Sequence, residues 1–250
     1  MEISEKSSVQ VMSSCLHSFQ TTKRKARNMK RFIDIVLSFI ALFVLSPLLI
    51  PIMVILRFTG EHEVFYLQDR VGYKNKIFKI WKFATMLKIS PSIGTGSLTL
   101  RNDPRVLPFG KFLRMTKINE LPQFFNVLVG NMSIVGPRPQ MEVDFKVYPK
   151  HVQEKIYDVV PGITGIGSIV FRDEEDIISK SSLSPHECYE KNIALYKGEL
   201  EMWYLQHQSL WVDGLIVFLT AWVILFPKSE LHYRVFKDLP EKPQSYSEII

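Results

Sequence analysis

The sequence predicts an α-rich α/β domain held at a membrane by an apolar N-terminal helix, and three features carry that prediction. Positions 35–56 form a 22-residue run without a charge. Two β-forming segments follow it, and amphipathic helical spacing recurs through the rest of the chain. The 250 residues allow roughly one compact domain with appendages. Hydrophobic residues at 46% and charged residues at 22% exclude a mainly disordered chain. Cys15 and Cys188 alone cannot form a disulfide framework, and no CxxC offers a zinc or redox site, so a reducing cytoplasm is expected. The net charge of +6 points to anionic partners such as lipid headgroups or phosphates.

Residues 7–33 contain no Asp or Glu, and Lys23, Arg24, Lys25, Arg27, Lys30 and Arg31 stand immediately before the apolar run. Their position favours contact with a phospholipid surface. A basic arm for nucleic acid is the competing reading, and no recognised nucleic-acid motif supports it. As a straight helix the uncharged run would cover about 33 Å, enough to span a bilayer. It begins too far into the chain for a signal peptide, and no small-x-small cleavage site follows it. Ser46-Pro47 falls in its middle and Pro51 one turn later, so a sharp kink is expected. Such a helix either turns back or spans with a bend. Basic residues on both sides, with Arg57, Arg70, Lys74 and Lys76 following the run, favour re-entry.

Beyond Gly60, residues 64–67 and 77–83 read as strands joined by a turn at Gly72-Tyr73-Lys74-Asn75. Residues 89–105 carry turn chemistry and are expected to form a loop. Leu121, Phe124, Phe125, Leu128 and Val129 make one apolar helical face ended by Gly130. Pro122 fits only the first turn, so Asn119 is expected as the N-cap, with Glu120 near free amides at the positive end of the dipole. In Gly136-Pro137-Arg138-Pro139, two prolines fix the backbone around an arginine suited to gripping a phosphate. The glycine-rich Pro161-Gly162-Ile163-Thr164-Gly165-Ile166-Gly167 lacks the Lys-Ser/Thr of an ATP-binding loop. Asp173, Glu174, Glu175 and Asp176 read as a solvated helix start rather than a cation site. Ser184-Pro185-His186-Glu187 is a capping box opening another helix. Residues 214–226 are uncharged but too short to span, which suggests an interfacial or core helix, and the residues from Lys228 read as a loosely held tail.

In order and spacing these pieces resemble the bacterial sugar transferase family, the monotopic phosphoglycosyl transferases, from about Lys30 to Phe226. The match comprises Ser46-Pro47, Gln68-Asp69-Arg70-Val71-Gly72, Lys82-Phe83-Ala84-Thr85-Met86, Asp103-Pro104-Arg105, Leu113-Arg114, Glu120-Leu121-Pro122-Gln123, Asn126-Val127-Leu128, Met132 through Pro139, and Pro161 through Gly165. The resemblance implies a helix-break-helix re-entrant anchor, with Ser46 and Pro47 at the break, and a small cytoplasmic catalytic domain with interfacial amphipathic helices. It divides the chain into a leader (1–31), a membrane helix (32–58), a catalytic domain (59–227) and a tail (228–250). It also implies transfer of a phosphosugar from a UDP-sugar to polyprenol phosphate, with UMP released and Mg²⁺ as cofactor. The expected place is the cytoplasmic face of a bacterial inner membrane, in company with other glycan-assembly enzymes.

The family's Asp-Glu pair falls on Asn119 and Glu120, and Arg138 and Arg114 are the implied phosphate-binding arginines. The sequence departs from the family at two positions: Asn119 stands where the family has its nucleophilic Asp, and Ala84 where it usually has Arg. Glu120 is therefore the expected carrier of the chemistry, with Asn119 hydrogen-bonding at the diphosphate. The alternative is a non-catalytic member that binds UDP-sugar or polyprenol phosphate as a scaffold.

Overall fold

The computed structural model describes residues 2–93, 98–100 and 103–243, with side chains described from Arg24 onward except Pro91. The chain opens as one long helix, α1 (Glu2–Phe58), and among the described residues this is the one helix long and apolar enough to cross a membrane. Helical structure continues through Pro47 and Pro51 instead of stopping at the expected break. Pro47 has no amide to offer the carbonyl of Phe43 one turn back. Ser46 Oγ donates to that same carbonyl at 2.7 Å and replaces the missing donor. One side of α1 is bare, Phe43 being 73% exposed, whereas Leu49, Ile52 and Leu56 are buried with Phe83 and Leu113.

Strands β1 (Phe65–Val71) and β2 (Ile77–Phe83) form the expected hairpin, with Phe65 opposite Phe83 and Val71 opposite Ile77. Phe65 stacks on Phe83 and meets Trp81 edge-on, the cross-strand aromatic contact that pins the register. In the loop that follows, buried Asp103 pairs with Arg105 at 2.6 Å. Arg105 also donates to the carbonyls of Ser90, Ile93 and Leu98, so this ion pair organises the described part of the loop. Helix α2 (Pro108–Met115) turns Phe112 and Met115 outward and buries Leu113.

Helix α3 (Gln123–Val129) ends at Gly130, whose φ of +103° suits glycine. The expected N-cap at Asn119 is corrected: residues 118–120 form a separate 3₁₀ turn, and α3 begins only after Pro122. Lys117, in the left-handed region at φ +58°, redirects the chain just before that turn. The Glu120 amide then donates to Lys117 O at 3.1 Å and is not free.

A second, parallel pair joins β3 (Ser133–Val135) to β4 (Gly162–Thr164). The glycines exist for backbone contact: a Cβ on Gly162 would lie 2.1 Å from the Gly136 nitrogen, and one on Gly136 would lie 2.5 Å from Val160 O. The rest is helical: α4 (Glu142–Phe145), α5 (Lys150–Lys155), α6 (Ile166–Val170), α7 (Glu174–Lys180), α8 (Pro185–Cys188), α9 (Leu195–His207), α10 (Leu210–Leu225) and α11 (Leu231–Val235). The capping box at α8 is present in full, Ser184 and Glu187 satisfying each other's backbone amides. Tyr157, Tyr204, Leu200 and Ile216 are fully buried in the core these helices share.

The tail is not loose as far as residue 243. Phe236 and Leu239 are buried in the same core, Trp203 Nε1 donates to Asp238 at 2.9 Å, and Tyr196 OH donates to Pro240 O at 3.0 Å. Its polar, proline-containing composition hid apolar anchors spaced too irregularly to read as periodic. Residues 244–250 of that segment lie outside the described residues.

Candidate active site

A cavity of about 480 Å³ opens between the β1–β2 hairpin, α2, the 118–120 turn and α7. Its lining includes Leu56 and Thr59 from the C-terminal end of α1 with Phe65 and Leu107, and the polar Asp144, Glu174, Tyr189 and Lys197. Asn119, Glu120, Arg138, Lys82, Arg70 and Arg114 line it too, so all four catalytic and phosphate-binding residues expected from the sequence border one cavity.

At the centre Arg138 grips Glu120 with both ends of its guanidinium, at 2.5 Å to Oε1 and 3.3 Å to Oε2. Lys82 Nζ stands 3.8 Å from Glu120 Oε1. Burial alone would raise the Glu120 carboxyl, but Arg138 and Lys82, with Lys117, overcome it and hold the group well below the usual carboxylate range. Glu120 is thus a permanent anion, by virtue of ion pairing and not of a helix dipole. Arg138 is in turn stabilised as a cation by Glu120.

The Arg138 backbone is pinned from below. Tyr157 OH donates to Arg138 O at 2.9 Å and accepts from the Gln140 amide at 2.9 Å. Arg70 donates to Pro139 O at 3.3 Å. Gly136 N donates to Thr164 O and Gly162 N to Pro137 O, both at 2.9 Å, so the glycine-rich stretch supports the arginine loop from behind rather than cradling a phosphate itself.

Asn119 is 5% exposed, and its Oδ1 has no hydrogen-bond partner although it faces a polar cavity. An orphaned acceptor in such a place is one a ligand can satisfy. Ala84 lines the same wall and brings no charge to it. Arg114 is held by Glu175 at 2.9 Å, and Lys197 by Glu174. This corrects the acidic run: Glu174 and Glu175 face the cavity and set two of its cations, while Asp176 pairs with Lys180 on the surface. Consecutive carboxylates gave no sequence signal separating these two from their solvated neighbours. Sequence reasoning also missed Tyr157 and Lys197, which no motif marks.

Burial raises the nearby Glu201 carboxyl to about 7, and Lys82 titrates in the same range. Burial, assisted by Arg70, pushes its ammonium down to about 7, with Glu120 opposing the shift. Its positive charge is present below that pH and lost above it. Diphosphate affinity is therefore expected to fall as pH rises through about 7 and to fall less in Lys82→Arg, measured by titrating a UDP-sugar, whose diphosphate does not itself titrate there, calorimetrically from pH 6 to 8. An undiminished fall in the variant would assign the titration elsewhere.

Comparisons with known proteins meet this geometry from the sequence side. A family model described as bacterial sugar transferase matches residues 25–227. The chain is 37% identical over 203 residues to a UDP-glucose:undecaprenyl-phosphate glucose-1-phosphate transferase of Klebsiella pneumoniae, covering 80% of this chain and 41% of that one. It is 35% identical over 198 residues to a UDP-N-acetylgalactosamine-undecaprenyl-phosphate N-acetylgalactosaminephosphotransferase of Aeromonas hydrophila, covering 78% and 43%. It is 32% identical over 205 residues to the exopolysaccharide production protein ExoY of Rhizobium meliloti, covering 76% and 83%. The chain thus spans about two fifths of the length of the first two relatives and most of the third.

Proposed function

Because the chain belongs to the bacterial sugar transferase family, we propose that it transfers a phosphosugar from a UDP-sugar to polyprenol phosphate, releasing UMP, as an initiating step of lipid-linked polysaccharide synthesis. The observation that carries the reading is the anionic Glu120 set among Arg138, Lys82 and Arg70, in a cavity whose lining includes Leu56 of the apolar helix. Relatives named for undecaprenyl phosphate and UDP-sugars support the same two substrates.

Arg138 is placed to bridge Glu120 and a phosphate oxygen, which would hold the β-phosphorus near the carboxylate. Glu120 Oε attacks that phosphorus, the bond to the bridging oxygen breaks, and UMP leaves with the electron pair. The phosphate oxygen of polyprenol phosphate then attacks the acyl-phosphate phosphorus, breaking its bond to Glu120 and regenerating the carboxylate. The alternative is that Glu120 acts as general base for direct attack by the lipid phosphate, and trapping a phosphosugar adduct by mass spectrometry separates the two. Asn119 Nδ2 is the group that can donate to a diphosphate oxygen, which leaves its unpaired Oδ1 as an acceptor.

Among the described residues, no three Asp, Glu, His or Cys side chains group as a metal site. The orphaned Asn119 Oδ1 does fit a Mg²⁺ carried on the diphosphate, which needs only one or two protein oxygens. Bound there, the ion would neutralise charge on the leaving group. UMP release from membranes given polyprenol phosphate and a panel of UDP-sugars tests the transferase reading. Ligand binding with no release for any sugar would favour a scaffold, the reading Asn119 otherwise invites.

We also propose that α1 re-enters the bilayer rather than crossing it. Residues at both ends of its apolar run touch one body: Arg31 bonds to α3, and Leu49, Ile52 and Leu56 pack on Phe83 and Leu113. Single cysteines near residues 25 and 75, with Cys15 and Cys188 replaced, are expected to resist a membrane-impermeant thiol reagent in intact cells. Labelling of only one of them would establish a span.

A further inference from the structure

We infer that Lys30, Arg31 and Asp34 are positioning residues for the reaction, the device by which the membrane helix fixes the spacing between Glu120 and Arg138; this rests on the transferase reading of the same site. The sequence reading gave Lys30 and Arg31 to lipid headgroups, but both are turned inward. Arg31 donates to Val127 O at 2.5 Å and to Leu128 O at 2.8 Å, carbonyls of the last turn of α3, the first of which also accepts the Gly130 amide. Gly130 leaves room for it, since a Cβ there would lie 3.3 Å from the guanidinium. Asp34, buried at 5% exposure, accepts from the Ile134 amide in β3 at 3.1 Å. Lys30 donates to Val135 O at 2.9 Å and pairs with Asp213 of α10 at 2.5 Å, where Tyr204 OH also bonds Asp213.

These contacts fall on the two segments that carry the catalytic ion pair. Helix α3 follows Glu120 after two residues, and β3 ends one residue before the Gly136-Pro137-Arg138 turn. One face of α1 therefore grips both segments, bonding α3 by side chain to carbonyl and β3 through its amide and carbonyl. The two segments are also joined directly through residues 130–132, whose amides donate to Asn126 O, so α1 braces a pair already in contact. The spacing of Glu120 and Arg138 is set by what both segments share, and the α1 face is a part they share.

The test uses the full chain in lipid nanodiscs, with Arg31→Met, Asp34→Leu and the conservative Asp34→Asn, which keeps an acceptor for the Ile134 amide. UMP release by Arg31→Met and Asp34→Leu is expected to lose at least tenfold in kcat, with Asp34→Asn within threefold of the parent. The groups facing Glu120 are Arg138, Lys82 and Lys117. With Arg138 slackened, the carboxyl returns toward its ordinary range, so an acid limb should appear in kcat between about pH 4 and 6 that the parent lacks. Circular dichroism over the same pH range separates this limb from acid unfolding of a merely destabilised protein. Hydrogen exchange supplies a readout that needs no turnover: in Arg31→Met, residues 118–121 and 136–139 should lose protection while α9 keeps its own. Parent-like protection at those two segments, or parent-like kcat and acid profile in both disruptive variants, would overturn the inference. Absence of UMP release by the parent counts against the transferase reading alone, and the exchange experiment then decides the positioning role.

Discussion

Glu120→Gln is expected to lower UMP release by at least ~10³-fold, the scale seen when a group that forms the reacting bond is removed. The substitution keeps the shape of the side chain and one acceptor oxygen for Arg138 but breaks the ion pair, so a stability loss of about 2 kcal/mol is expected and release is compared per folded protein. It removes the anion that Arg138 and Lys82 are arranged to hold. Asn119→Ala should weaken release without abolishing it, because it deletes only the hydrogen-bonding neighbour. Asn119→Asp should retain or raise it by adding a second carboxylate beside the diphosphate. Mass spectrometry of the parent stalled without lipid acceptor is expected to find the phosphosugar on Glu120. Retained release by Glu120→Gln would remove this residue from the chemistry. A silent parent switched on by Asn119→Asp would identify Asn119 as an inactivating replacement.

Arg138→Met is the second large effect, for two separable reasons. It leaves Glu120 with Lys82, at 3.8 Å, and the more distant Lys117, and should cost about 2 kcal/mol of stability. That is below the ~3–5 typical of fully buried pairs, because the Arg138 side chain is 31% exposed. It also removes the donor that meets the diphosphate, for which a loss of ~10²–10³ in kcat is expected. Arg138→Lys should recover most of the stability and little of the rate, since a point charge cannot fork across two oxygens. Denaturant titration and UMP release on the same samples would separate the two, and equal recovery of both by Lys would show that charge alone matters.

How far the sequence reveals this molecule depends on how local the signal is. The hairpin was legible because β-formers flanked a turn, and the α8 capping box because four consecutive residues specify it. Glu120 and Arg138 were legible as motif residues, but their mutual grip was not, since 18 positions separate them. The N-cap misreading at Asn119 arose because Pro122 is compatible both with a first helical turn and with the end of a 3₁₀ turn, and the left-handed Lys117 that decides between them bears no sequence mark. Lys30 and Arg31 carry the same charges as the exposed Arg24, Lys25 and Arg27. Only tertiary packing reveals which cations go inward.

The segment after α10 draws a distinction between what is inherited and what folds. The family model's match ends at residue 227, yet the strap beyond it closes over Trp203 and Tyr196, placing Phe236 and Leu239 in the same core as the helices before it. The portion the family model matches is therefore shorter than the packed core. Two proteins sharing every catalytic motif can differ in the piece that seals their interior, so a transferase domain exchanged between them at the limits of similarity would carry its chemistry across and leave its lid behind.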